Sequence, residues 1–255
     1  MEALLIGTFF ILGAIIASFV GVIAVRLNTG QSFLAGRSRC DACDTPLPPE
    51  ALVPIFSYVT HRGRTRCCGT RLSLVAPFTE TLLGGLFVLA YLALGLTPAL
   101  PFLLAALALL LALVLYDLAH QILPPSLLYS FVAVSLLSGY FDAPSLALFG
   151  QTLLVAFLIA MSLAAIHVFS RGRAMGFADA PLAFGLSVLV GAAAFPGFIF
   201  SFWIGAVIGI ALLLQRPRGS RMGVEVPFAP FLAAGFLLAY FTQWNPFTLI
   251  TAVIR

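Results

Sequence analysis

Two aspartates stand almost alone in a chain that otherwise reads as lipid-facing. Asp117 lies in "YDLAHQILPP" and Asp179 in "RAMGFADAPL", each beside a long apolar run. A carboxylate at the centre of a membrane helix costs about 2.5–3.5 kcal/mol on insertion scales, so such residues face a cavity or a partner. Taken singly, either could cap a helix or pair with Arg171 or Arg173, and Asp179 followed by Pro181 is a good helix-start signal. Taken together they suit acid chemistry on water. Two adjacent carboxyls share one proton: the anion takes a proton from water while the acid polarises a carbonyl and protonates the group that leaves. The titration belongs to the pair, so neither residue is assigned as acid or base. Gly176 stands three residues ahead of Asp179, where a missing side chain would let backbone approach a substrate.

The elements that must position this pair follow from composition. Of 255 residues, 62% are hydrophobic and 9% charged, against about 25% charged in soluble domains. A helix of about 20 apolar residues crosses a bilayer. Eight runs are expected to do so: 3–25, 74–95, 98–116, 123–140, 145–169, 181–195, 197–215 and 228–242. The separators are turn-forming, among them Gly95-Leu96-Thr97-Pro98, Phe195-Pro196-Gly197 and Asn245-Pro246. Inside lipid each backbone polar group must be satisfied within its own segment, so helices are close to forced. The fold class expected is therefore all-α and polytopic. The first run has neither a basic flank before it nor a small-residue cleavage site after it, and reads as a retained span.

All thirteen basic residues are arginine, giving a net charge of +4. Their placement says more than their sum. Arg26, Arg37, Arg39, Arg62, Arg64, Arg66 and Arg71 follow the first span, Arg171 and Arg173 the fifth, and Arg216, Arg218 and Arg221 the seventh. The positive-inside rule makes those loops cytoplasmic and both termini external. Asp117 and Asp179 then share the cytoplasmic face. This asymmetry makes lipid, and not nucleic acid, the expected contact. The four cysteines, Cys40, Cys43, Cys67 and Cys68, share the first cytoplasmic stretch, where thiols stay reduced and metal binding is favoured over disulfides. Cys40-x-x-Cys43 is half of a tetrahedral zinc pattern.

Four ordered segments resemble the type IV prepilin peptidases, which are GxGD-type intramembrane aspartic proteases. "RAMGFADAPL" is similar to the motif around that family's second catalytic aspartate, and "YDLAHQILPPSLL" to the stretch following its first. The loop "SRCDACDTPLPPEALVPIFSYVTHRGRTRCCGTRLS" and the late "VPFAPFLAAG" resemble two further segments, and the likeness runs from about residue 18 to 235. The resemblance implies that Asp117 and Asp179 are the catalytic pair, with Gly176 and Ala178 in the substrate loop. It implies cleavage of the leader of prepilins or pseudopilins at the inner membrane of a bacterium. Many members also methylate the new N-terminus with S-adenosylmethionine.

It further implies three regions: a first transmembrane helix over 1–25, a cysteine loop over 26–73 and a peptidase domain over 74–255. The departures are specific. Ala178 replaces the family's second glycine, so a positive φ there would be strained. Pro181 stands where a lysine is common, and Gly21 where an asparagine is usual. The resemblance places a second cysteine pair at 65 and 68, but Thr65 fills the first place and Cys67 adjoins Cys68. A four-sulfur zinc site then needs adjacent cysteines on one ion, with His61 as a substitute ligand. Glu80, about one turn inside the second span, is expected to be structural, with Arg71 as a partner within reach. His167 and His120 are expected to be interfacial. The readings from other classes are a transporter using an acid pair for proton coupling and an inactive pilus or secretion subunit. Transporters place such acids near the midplane of internal repeats, whereas these share one face and no repeat is evident.

Overall fold

The computed structural model describes residues 1–28, 39–40, 42–46, 48, 53–215 and 226–246. Arg37, Arg216, Arg218, Arg221 and Arg255 lie outside the described residues. Among the described residues the regular elements are helices, and pairing between extended segments is confined to two isolated bridges. In chain order they are α1 (Glu2–Arg26), α2 (Phe56–Thr60), α3 (Val75–Leu94), α4 (Leu100–His120), α5 (Pro125–Asp142), α6 (Leu146–Ser170), α7 (Asp179–Val190), α8 (Ala194–Gln215) and α9 (Ala229–Thr242). Each of the eight expected spans carries a helix; the ninth, α2, is a single short turn in the cysteine loop. Among the described residues, five stretches are long and apolar enough to cross a bilayer: α1, α3, α4, α6 and the run from Asp179 to Gln215. Proline sits in the first turn of α4, α5 and α9, where its missing N–H removes no helical bond.

One boundary differs from expectation. The break between α7 and α8 falls at Gly191, with φ of 57°, followed by a 3-10 turn over Gly191–Ala193. Phe195-Pro196-Gly197 lies beyond it, inside the first turns of α8. Proline is compatible with a helix start, whereas the left-handed conformation at 191 suits glycine. The glycine, not the proline, therefore divides the run.

The chain forms two compact units, residues 1–96 with 107–115, and residues 97–106 with 116–255. In the first, α1 and α3 pack closely through small residues. Gly13, Ala14, Ala17, Val20 and Ala24 form the buried face of α1, the small-residue packing that the sequence suggests. A Cβ at Gly13 would lie 2.7 Å from the Gly84 Cα, and one at Gly84 would lie 2.9 Å from the Phe10 carbonyl oxygen. Phe9 stacks on Tyr91 at 4.8 Å. Gly84→Val is accordingly expected to cost about 1–3 kcal/mol through overpacking, read as a lower thermal midpoint in detergent; an unchanged midpoint would contradict the contact.

In the second unit α7 is the hub. Ten of its residues are buried, and it packs against α5, α6, α8 and α9. A helix surrounded on all sides is apolar all round, which is why α7 shows no polar stripe. Close approaches supply the fit: a Cβ at Gly185 would meet the Phe131 ring at 2.7 Å, and one at Gly139 would meet Val188 at 2.9 Å.

Candidate active site

The architecture of the second unit brings the two aspartates to one place. Asp117 occupies the last turn of α4, just before Gln121 ends that helix in a left-handed conformation. Asp179 is the first residue of α7, with Ala178 as its N-cap. Both are buried, at 6% and 7% exposure, and both line one cavity of about 590 Å³. Asp117 lies near enough for its charge to act on the Asp179 carboxyl. Among the described residues neither forms an ion pair, so the pairing with Arg171 or Arg173 is not what places them. Arg173 does line the cavity, but its Nε–H donates to the Ser170 carbonyl.

The walls come from three stretches: Gln121 to Leu123 after α4, Gly172 to Ala178 between α6 and α7, and Val226 to Phe228 before α9. The third explains the late "VPFAPFLAAG". The Ala229 backbone N–H, at the start of α9, donates to Asp117 Oδ2 at 3.3 Å. An unpaired amide at a helix N-terminus is a natural donor to a carboxylate. No side-chain pattern announces this contact, because the donor is backbone.

Gly176 and Ala178, the residues expected in a substrate loop, both line the cavity. Gly176 is exposed and Ala178 half-buried. Ala178 has φ of −66°, so replacing glycine there introduces no strain. Gly176 likewise lacks a positive φ, and a Cβ there would sit at ordinary contact distance, 3.5 Å, from Asp179 Oδ2. The conformational demand of this loop falls instead on Arg171 and Gly172, at φ of 54° and 75°.

The cysteines form a second cluster, in the first unit. The sulfurs of Cys40, Cys43, Cys67 and Cys68 all lie within 4.8 Å of one another, with neighbours at 3.3 Å (Cys43 to Cys67), 3.7 Å (Cys40 to Cys68) and 3.9 Å (Cys67 to Cys68). Four sulfurs at about 2.3 Å from a tetrahedral ion stand roughly 3.8 Å apart, so the set fits one metal ion.

The backbone shows how. The Cys40 N–H donates to the Thr45 carbonyl and the Asp44 N–H to the Cys40 carbonyl; the Thr65 N–H donates to the Thr70 carbonyl and the Gly69 N–H to the Thr65 carbonyl. Asp44 and Gly69 both have positive φ, and bridges Arg39 to Pro46 and Arg64 to Arg71 flank the two turns. These are two copies of one turn. Cys43 corresponds to Cys68, and Cys40 to Thr65. The missing sulfur is supplied from within the second turn by Cys67, and adjacent cysteines do converge.

The hydroxyls of Thr65 and Thr70, 3.2 and 3.1 Å from the Cys68 sulfur, draw that thiol down to about 6. Thr45 lowers Cys43 similarly. Cys67, facing the Cys43 sulfur, is pushed up to about 12. His61 is not part of the cluster: its Nδ1 bonds the Ser57 carbonyl at 2.6 Å. Glu80 accepts from the Ile55 backbone N–H at 2.7 Å, just ahead of α2. The expected partner Arg71 is replaced by a main-chain donor, because Ile55 adopts a positive φ and turns its N–H toward α3. His120 is exposed and its ring packs against Tyr116 at a tilt of 43°.

The fold and the site define a polytopic α-helical membrane protein with a paired-carboxylate cavity at helix ends. The family model described as "Bacterial Peptidase A24 N-terminal domain" matches residues 11–94, and that described as "Type IV leader peptidase family" matches residues 104–214. A prepilin leader peptidase/N-methyltransferase of Bacillus subtilis is 32% identical, covering 91% of this chain and 92% of the relative. Its namesake in Myxococcus xanthus is 33% identical over 82% and 63% of the two chains, and that of Aeromonas salmonicida 30% over 86% and 77%. No solved structure matches the chain. The chain belongs to the type IV leader peptidase family: it is a peptidase and a multi-pass protein of the bacterial inner membrane.

Proposed function

We propose that the chain cleaves the leader peptide of a type IV prepilin or pseudopilin, with Asp117 and Asp179 as the catalytic pair. The observation that carries this reading is the burial of both carboxyls in one cavity walled by the loop that contains Gly176 and Ala178. A water between the two carboxyls loses a proton to the anionic one and attacks the scissile carbonyl. The protonated one polarises that carbonyl and then delivers its proton to the departing amine. The Ala229 amide offsets charge on Asp117 and fixes its rotamer. Residues 172–178 and 226–228 line the space through which a peptide must pass.

The cavity collects the C-terminal ends of α4 and α6 and the N-terminal ends of α7 and α9. Together with the arginine pattern this supports a cytoplasmic site and external termini. The division into a first helix, a cysteine loop and a peptidase domain from residue 74 belongs to the same reading. The four sulfurs would hold zinc as a structural ion that ties the two turns together. The relatives' printed name also includes N-methyltransferase activity, for which S-adenosylmethionine would be the methyl donor.

The test is to incubate the purified chain in vesicles with a type IV prepilin and weigh the product. The expected product lacks its leader. A terminus also heavier by one methyl group, only when S-adenosylmethionine is present, would add transfer to cleavage. An intact substrate at enzyme excess would refute the proposal.

A further inference from the structure

The loop from Arg171 to Ala178 leads directly into the second aspartate, and its hydrogen bonds fall into two groups. Its first half folds back on α6: the Gly172 N–H donates to the His167 carbonyl at 2.8 Å, and the Arg173 N–H to the Ser170 carbonyl at 3.2 Å. The Ala174 N–H donates to the Ser170 hydroxyl. In the second half, the Gly176, Phe177 and Ala178 carbonyls accept from the N–H groups of Asp179, Ala180 and Leu182 in the first turn of α7, and one side chain ties this half back to α6. His167 Nδ1 lies 2.8 Å from the Met175 carbonyl oxygen. A carbonyl only accepts, so Nδ1 carries the hydrogen and donates it. The same ring meets Phe177 edge-on at 5.6 Å. It also lies where a Cβ on Gly172 would come within 3.3 Å of Cε1, so the left-handed glycine at 172 leaves room for the imidazole.

One side chain therefore touches the loop at its start, at Met175 and at Phe177. Gly176, next to Met175, adjoins the Asp179 carboxylate, and the Asp179 N–H donates back to the Gly176 carbonyl at 3.4 Å. The path from His167 to the aspartate is two short links of main chain. We infer that His167 is a positioning residue: by donating to the Met175 carbonyl and packing on Phe177 it holds the loop so that Asp179 faces Asp117. It does not itself touch the reacting atoms. This inference rests on the acid-pair reading above.

Two variants separate the donated hydrogen from the packing. His167→Phe keeps an aromatic ring against Phe177 but removes the donor. His167→Asn loses the ring but can present its amide nitrogen where Nδ1 stands. Activity is measured on a type IV prepilin in vesicles, per folded enzyme, with kcat and KM resolved. His167→Phe is expected to lower kcat by roughly 10- to 100-fold with KM little changed, the size of effect that follows from a slight misplacement of a catalytic group. His167→Asn is expected to recover most of that loss. Wild-type kcat in His167→Phe would overturn the inference, as would a His167→Asn enzyme as slow as His167→Phe. Asp179→Asn run alongside keeps the two readings apart, since cleavage by that variant would remove the acid pair whatever the His167 variants do.

Discussion

Asp117→Asn and Asp179→Asn are each expected to reduce prepilin cleavage by roughly 10³-fold or more, with the protein still folded. General acid-base participation is worth 10²–10⁴-fold for one group, and a factor of 10³ corresponds to about 4 kcal/mol of barrier. Asparagine matches aspartate in shape, and its carbonyl oxygen still accepts from the Ala229 N–H in Asp117→Asn. Packing is therefore conserved while proton exchange is lost. The wild-type enzyme needs one proton on the pair, so its rate must fall on both sides of an optimum. At low pH the base is protonated, and at high pH the acid is gone. Kinetics of the purified variants across pH check this directly. Near-wild-type cleavage by both variants would mean that the cavity serves another purpose.

On the proposal that the four sulfurs hold zinc, Cys67→Ser is expected to weaken its binding by more than about a hundredfold, beyond the loss seen on removing an outer-shell partner, and Thr65→Cys in the same chain is expected to restore it. The argument rests on the two matching turns. Position 65 stands in the second turn where Cys40 stands in the first, with the same hydrogen bonds around it. A cysteine there completes the regular pattern, and Cys67 becomes dispensable. Metal content of purified protein measures the ion, and cobalt in place of zinc reports through its absorption how many sulfurs bind. If Cys67→Ser keeps its zinc, the fourth ligand is not Cys67. If the double variant stays empty, the equivalence of the two turns does not extend to the ion.

Much of this arrangement is legible in the residue string, and what is not has identifiable causes. Apolar runs locate the helices because lipid leaves the backbone few alternatives, and the rarity of acids singles out Asp117 and Asp179. The α7–α8 boundary is missed because Pro196 looks like a breaker, whereas its tolerance depends on where the helix begins. A four-sulfur site requires Cys67 and Cys68 to converge, but the spacing does not show how, because Cys-x-x-Cys assumes that each turn supplies both of its sulfurs. Ala229 and Ile55 act through main-chain N–H groups, which no residue type advertises. His167 reads as an interfacial histidine, since its partner is a carbonyl eight residues along and its role emerges only from the loop's shape. Gly176 is expected to let backbone approach a substrate, whereas the glycine of that loop held at positive φ is Gly172.

The brevity of α7 has a consequence for biogenesis. Twelve residues rise only about 18 Å, well short of the roughly 30 Å hydrocarbon layer. Such a segment cannot settle stably by itself as it leaves the ribosome. Its buried surface is completed by α8 and α9, and the amide that anchors Asp117 arrives 112 positions after it. The bond from the Ala229 amide to Asp117 can therefore form only once α9 has been synthesised.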